Sequence, residues 1–206
     1  MEVGFYGKLP SHGDFLRRRA SDEFLAVWDP WLQQCLAASR EALGDRWLDF
    51  YLTSPAWRFA CGAGACGTSP VIGVMVPSVD RVGRYFPLTL VAELPRDLQG
   101  LLPAALRAGS FFEALESLVI DTLEGDLVDL DRFDEQLRRV GAQLEETTLS
   151  PRVVIETASG LLDDPADGWH LTIGAATELG SGKPFPMRQV GSIADDPSVH
   201  HITSGS

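Results

Sequence analysis

The spacing of apolar positions changes period along the chain, and each change marks an element. Residues 2–9, EVGFYGKL, are rich in aromatic and β-branched side chains and stop at Pro10 and Gly13, which predicts a short strand. From Ser21 the period becomes helical. In SDEFLAVWDPWLQQCLAASREALG (21–44), Phe24, Val27, Trp28, Trp31, Leu32, Cys35, Leu36 and Leu43 largely follow helical spacing. Ser21 stands at the N-cap position, Asp22 and Glu23 fall in the positive first turn, and Gly44 stops the run. Pro30 removes a backbone donor and clashes with the preceding turn. The segment is therefore either kinked there, or a short turn followed by a helix starting near Asp29.

Three strands are predicted next, AWRFACG (56–62), PVIGVMVP (70–77) and RYFPLTLVAEL (84–94); the middle one is apolar throughout, as a strand buried on both faces would be. SFFEALESLVIDTLEG (110–125) reads as a helix opened by a Ser110–Glu113 capping box, with Phe111, Leu115, Leu118, Val119 and Leu123 as its buried stripe. LDRFDEQLRRVGAQLEE (130–146) is a second, more polar helix. Strands are expected at 151–159 and 168–176, around a DDPADG turn. Beyond Ala176 the chain turns rich in Gly, Ser and Pro, so the organisation expected is one domain over 1–176 and a loop-rich or partly disordered tail over 177–206.

Composition narrows the function more than the fold. A 45% hydrophobic content suffices for a large core, and no apolar run approaches the roughly 18 residues of a membrane helix. The net charge of −12 argues against a general nucleic-acid binder, which needs a basic face. That charge is uneven: residues 1–19 carry Lys8, Arg17, Arg18 and Arg19 against Glu2 and Asp14, whereas 121–146 holds nine acids against three arginines. The asymmetry suits either electrostatic docking to a partner or a solvated helical face. Three cysteines, an odd number, fit reduced thiols in a cytosol better than a disulfide framework.

Several patterns imitate chemistry. Gly62, Gly64 and Gly67 spell G-x-G-x-x-G after a predicted strand, with Asp80 near the ribose-binding distance, yet Thr68-Ser69-Pro70 leads straight into the next strand. No helix N-terminus is left to hold a pyrophosphate. Cys61 and Cys66 have no second ligand pair, and His200-His201 lies in the tail, so no metal site is expected. Ser11, His12 and Asp14 crowd one short loop, where a hydrolytic triad rarely converges; a turn is the plainer reading. In PSVDRVGRYFPLTL (77–90), Asp80 with Arg81, Arg84 or Arg58 forms either a pair that fixes the loop or an anion site.

Together, GFYGKLPSHGDFLRR, WDPWLQQCLAASREALG, YLTSPAWRFACG and VMVPSVDRVGRYFPLTLVAELP resemble the TagF family of type VI secretion accessory regulators, from residue 4 to about 95 in unbroken order and more loosely to about 145. Lys8, Pro10, Gly13, Asp14, Phe15, Trp57, Arg58, Phe59, Pro77, Ser78, Asp80, Arg81, Gly83, Arg84, Phe86 and Pro87 carry it. The resemblance implies an α/β fold, a three-layer α/β/α sandwich, here expected around a mixed sheet. It also implies a cytoplasmic, non-enzymatic repressor that acts through the forkhead-associated scaffold protein of the system, with no cofactor and no catalytic residue. The chain departs from the family pattern at its C-terminus: relatives tend to carry a tryptophan-rich strand there, whereas this chain has GWHLTIGAATEL and then the weakly patterned tail.

The leading expectation is thus a regulatory adaptor that touches its partner through Lys8, Asp14, Arg17, Arg18, Arg19, Ser78, Asp80, Arg81 and Arg84. The alternative is a hydrolase or phosphatase-like enzyme built on the 11–14 or 78–84 loop.

Overall fold

Hydrophobic burial on both faces of one sheet organises the chain. A computed structural model describes residues 1–98, 101, 105, 108–125 and 128–148. Strands β1 (Val3–Gly7), β2 (Leu16–Arg18), β3 (Trp57–Cys61), β4 (Val71–Val76) and β5 (Leu88–Glu93) form a sheet in the order β2-β1-β5-β4-β3. Every neighbouring pair of these strands is antiparallel, which corrects the expected mixed sheet. The reason lies in the connections. Residues 62–70 and 77–87 join consecutive strands without a helix, and a parallel crossover needs about a dozen residues, usually helical.

The three layers follow from the period-2 alternation of the central strands. Ile72, Val74 and Val76 of β4 and Leu88, Leu90 and Ala92 of β5 point to one face, where they pack with Phe112, Leu115 and Val119 of α3 (Gly109–Glu124) and Phe133, Leu137 and Leu144 of α4 (Leu130–Thr148). Val71, Met75 and Val91 point to the other, against Phe24, Trp28 and Leu32 of α1 (Asp22–Leu43). Trp28 lies 4.5 Å from the Phe59 ring, centroid to centroid, and donates its indole N–H to Thr89 Oγ1 at 2.9 Å. This satisfies two polar atoms within the apolar layer.

Helix α1 runs unbroken across Pro30, so the start near Asp29 is not adopted. Ser21 caps it, accepting from the Phe24 amide at 3.1 Å. Pro30 is exposed, as is Ala26, whose carbonyl the proline leaves without a helical donor, so water can satisfy it. Meanwhile Phe24 and Trp28 before the proline and Leu32 after it dock on the same sheet face, and that packing outweighs the local cost. Helix α3 corrects the predicted capping box. It starts at Gly109 after Ala108, with no side-chain cap, which leaves Ser110 inside the first turn. Two short elements escaped the sequence pattern, the three-residue β2 and α2 (Trp47–Leu52). The expected strands at 151–159 and 168–176 and the tail at 177–206 lie outside the described residues. No helix among the described residues is long and apolar enough to cross a membrane.

Candidate functional site

Antiparallel pairing brings the end of β1, the end of β4 and the start of β5 to one edge of the domain. The two loops that leave this edge, residues 8–15 and 77–87, hold the polar cluster picked out by sequence. Its centre is Asp80, which is buried together with Lys8. Asp80 Oδ2 accepts from Lys8 Nζ at 2.5 Å and from Arg84 Nε at 2.7 Å. Asp80 Oδ1 accepts from the Val82 amide at 3.0 Å and the Arg84 amide at 2.8 Å, closing the loop on itself. Burial pushes this carboxyl up. The Lys8 ammonium, the two amides and the Arg84 guanidinium more than reverse it, and hold Asp80 well below the usual carboxylate range.

The same two loops are stitched together elsewhere. Arg84 donates to the Gly13 carbonyl, the Arg81 amide donates to the His12 carbonyl at 3.0 Å, and Ser78 Oγ donates to the Lys8 carbonyl at 2.7 Å. Tyr51 of α2 completes the set. Its hydroxyl donates to the Ser78 carbonyl at 2.9 Å and accepts the Ser78 amide at 3.0 Å. Burial pushes the Tyr51 hydroxyl up to about 12, so it keeps its proton and both bonds at neutral pH. Phe15 covers Lys8 from outside, its ring centroid 4.5 Å from Nζ, edge-on to Phe86 at 4.8 Å and stacked on Tyr6 at 5.7 Å.

The residues named from sequence thus divide. Lys8, Ser78, Asp80 and Arg84 come together, with Arg81 beside them on the exposed turn. The Asp80–Arg84 pair was among those anticipated, whereas Lys8 as partner was not, and Arg58 instead grips Glu116 of α3 with two bonds of 2.6 Å. Asp14 is exposed and makes no hydrogen bond or ion pair among the described residues. Ser11 Oγ and His12 Nδ1 do meet, at 2.8 Å, but Asp14 does not join them into a triad. Tyr51 was missed, because the six residues of α2 are too few to show a helical period.

The three arginines sit apart from this cluster. Arg17 pairs with Asp22 at 2.6 Å and donates to the Ala20 carbonyl. Arg18 reaches Asp131 at 3.0 Å and Arg19 reaches Asp134 at 2.6 Å, so two of them neutralise α4 within the molecule. Arg19 also donates to the Val3 carbonyl at 3.0 Å and adopts a left-handed φ of 53°. Arg19→Glu is expected to remove roughly 3 kcal/mol of stability, because it opposes the nearly buried Asp134 carboxylate. Arg18→Glu, which faces the exposed Asp131 at 3.0 Å and Asp134 only at 3.6 Å, is expected to cost less, about 1 kcal/mol. Denaturant melts of the two variants check this ordering.

Residues 4–140 match the model of the TagF N-terminal domain, described as type VI secretion system-associated. The chain belongs to this family. Of the five strands among the described residues, the matched span takes in all but Val3 of β1, and it includes both loops of the cluster. The fold agrees as well. The crystal structure of PA0076 from Pseudomonas aeruginosa PAO1 is similar with a TM-score of 0.60 and 45% sequence identity, covering 67% of this chain and 62% of that chain. The likeness therefore spans less than two thirds of PA0076. A comparison with curated proteins found no match.

Proposed function

We propose that this TagF-family chain is a non-enzymatic regulator that represses type VI secretion in the cytoplasm. It does so by binding the forkhead-associated scaffold protein of the system or a related cytosolic component. The observation that supports a docking role is the locked pair of loops. Lys8, Asp80 and Arg84 fasten residues 8–15 to residues 77–87, and the frame so made carries Arg81, Val82 at 64% exposure and Phe15 at 48% on its outer side. A preorganised surface of one cation and two apolar groups loses little conformational entropy on binding. Arg18 and Arg19, paired with α4, contribute less to it than Arg81.

The test is capture of the scaffold from cells that express the secretion cluster. Arg81→Glu combined with Val82→Asp, both on the exposed turn, is expected to weaken binding at least tenfold, roughly 1.4 kcal/mol, without a change in melting temperature. Scaffold that binds the double variant as well as the wild type would remove this surface from the interface. The enzymatic alternative draws on the Ser11–His12 contact. Phosphoester hydrolysis by the wild type that vanishes in Ser11→Ala would overturn the non-enzymatic reading.

A further inference from the structure

The connection between β3 and β4 brings two thiols together. Cys61 closes β3, and Cys66 lies five residues later, past a turn in which the Ala65 amide donates to the Gly62 carbonyl at 3.1 Å and the Gly64 amide to the Gly67 carbonyl at 2.7 Å. Gly64 and Gly67 adopt φ values of 87° and 120°, which let the chain curl back within so few residues. Both cysteines pack into the apolar cluster beneath α1, and both are free thiols. Just beyond, the Thr68 amide and hydroxyl donate to Glu23 Oε2 at 3.1 and 2.6 Å, tying the loop to the start of α1.

We propose that Cys61 and Cys66 form a reactive dithiol that a small peroxide converts to an intramolecular disulfide closing the β3–β4 connection. The two thiols stand at the two ends of this tight turn and pack into the same apolar cluster. Their mutual interaction holds the Cys66 thiol below its usual range and pushes Cys61 up, so Cys66 is the sulfur that reacts first, as its thiolate. Its sulfur attacks one oxygen of hydrogen peroxide, the O–O bond breaks, and hydroxide leaves, giving a sulfenic acid on Cys66. The Cys61 sulfur then attacks the Cys66 sulfur. The S–O bond breaks, water leaves with the Cys61 proton, and the disulfide forms. Two thiols are oxidised by two electrons and one peroxide is reduced. Cys66 is buried but Cys61 is partly open, and the neighbouring Ala63 and Gly64 are exposed, so an oxidant of this size has a short approach. A Gly62 Cβ would meet no atom within 4 Å, which leaves the loop room to adjust as the sulfurs close to bonding distance. The third thiol, Cys35 on α1, is pushed up by burial and serves as an internal control.

The experiment treats the full chain with hydrogen peroxide in increasing dose, then alkylates and maps peptides by mass spectrometry. Cys61 and Cys66 are expected to disappear together into one cross-linked peptide, lighter by two hydrogen atoms and restored by a thiol reductant, while Cys35 stays alkylatable. In Cys61→Ser, Cys66 is expected to be trapped by a sulfenic-acid reagent instead. Loss of Cys35 before the pair, a cross-link involving Cys35, or oxidation of Cys66 in the wild type without a link to Cys61 would each overturn the proposal. The wild-type map decides it even if the serine variant fails to fold.

Discussion

Lys8→Met is expected to lower the melting temperature by roughly 10 °C, because it leaves a buried carboxylate short of its nearest cation. Lys8 and Asp80 are 4% and 0% exposed at their side chains, so water cannot replace the lost ammonium without opening the loops. Arg84 and two amides remain on Asp80 and limit the damage. Removing both charges, as Lys8→Met with Asp80→Asn, is expected to cost less than the two single losses together, since no unpaired charge is then buried. The pH dependence has a definite sign. The folded Asp80 carboxyl is held below its unfolded value, so its contribution is complete above the unfolded carboxylate value of about 3.9 and is lost as pH falls through the depressed folded value. Lys8→Met raises that folded value, so the gap between wild type and variant is widest at neutral pH and narrows on acidification. Thermal melts across this window check both parts. A constant gap, or a variant that melts like the wild type, would show that the pair does not lock the loops.

Much of this site was legible because its residue types are chemically explicit. Asp80 and Arg84 at a spacing of four, inside a loop bounded by prolines, announce a charged clasp. Lys8 was less legible as its partner, since the two are 72 positions apart and only the antiparallel pairing of β1 with β5 brings their loops to one edge. The strands at 57–61, 71–76 and 88–93 were read within a few residues because burial on one or both faces writes itself into the apolar pattern. β2 was not read. Its three residues are Leu16, Arg17 and Arg18, and hydrogen bonding to β1 together with the pairing of Arg18 to α4 sustains it, rather than any periodicity. α2 was missed for a related reason: six residues after a glycine are too few to show a period, and the rings of Trp47 and Tyr51 declare themselves only once Tyr85 packs between the loop and the helix. The crowding of Ser11, His12 and Asp14 reads from sequence as a turn rather than a triad, and the structure agrees: the His12 amide donates to the Leu9 carbonyl, and only Ser11 and His12 meet through their side chains.

The stretch GKLPSHG opens and closes on glycines that look interchangeable in sequence, and the structure makes them unequal. Gly7→Ala is expected to destabilise the domain by roughly 3 kcal/mol or more. Gly7 ends β1 with φ at 140°, a region L side chains rarely enter, and an added Cβ would overlap the Pro87 carbonyl oxygen and stand 2.8 Å from Leu88 Cα. Both obstacles are backbone of the neighbouring β5 edge, so no side chain can swing away; β1 itself must shift, and Lys8 shifts with it away from Asp80. Gly13→Ala is the control. Its Cβ would meet nothing nearer than the Arg81 guanidinium at 4.0 Å, the movable end of an exposed side chain, and its melting temperature is expected to stay within a few degrees of the wild type. If the proposed docking surface is used, Gly7→Ala also weakens partner capture below its own melting temperature, because the loops that carry Arg81 and Phe15 lose their common anchor. Equal destabilisation by the two substitutions would refute the assignment of Gly7 as the close-contact point that sets Lys8 against Asp80.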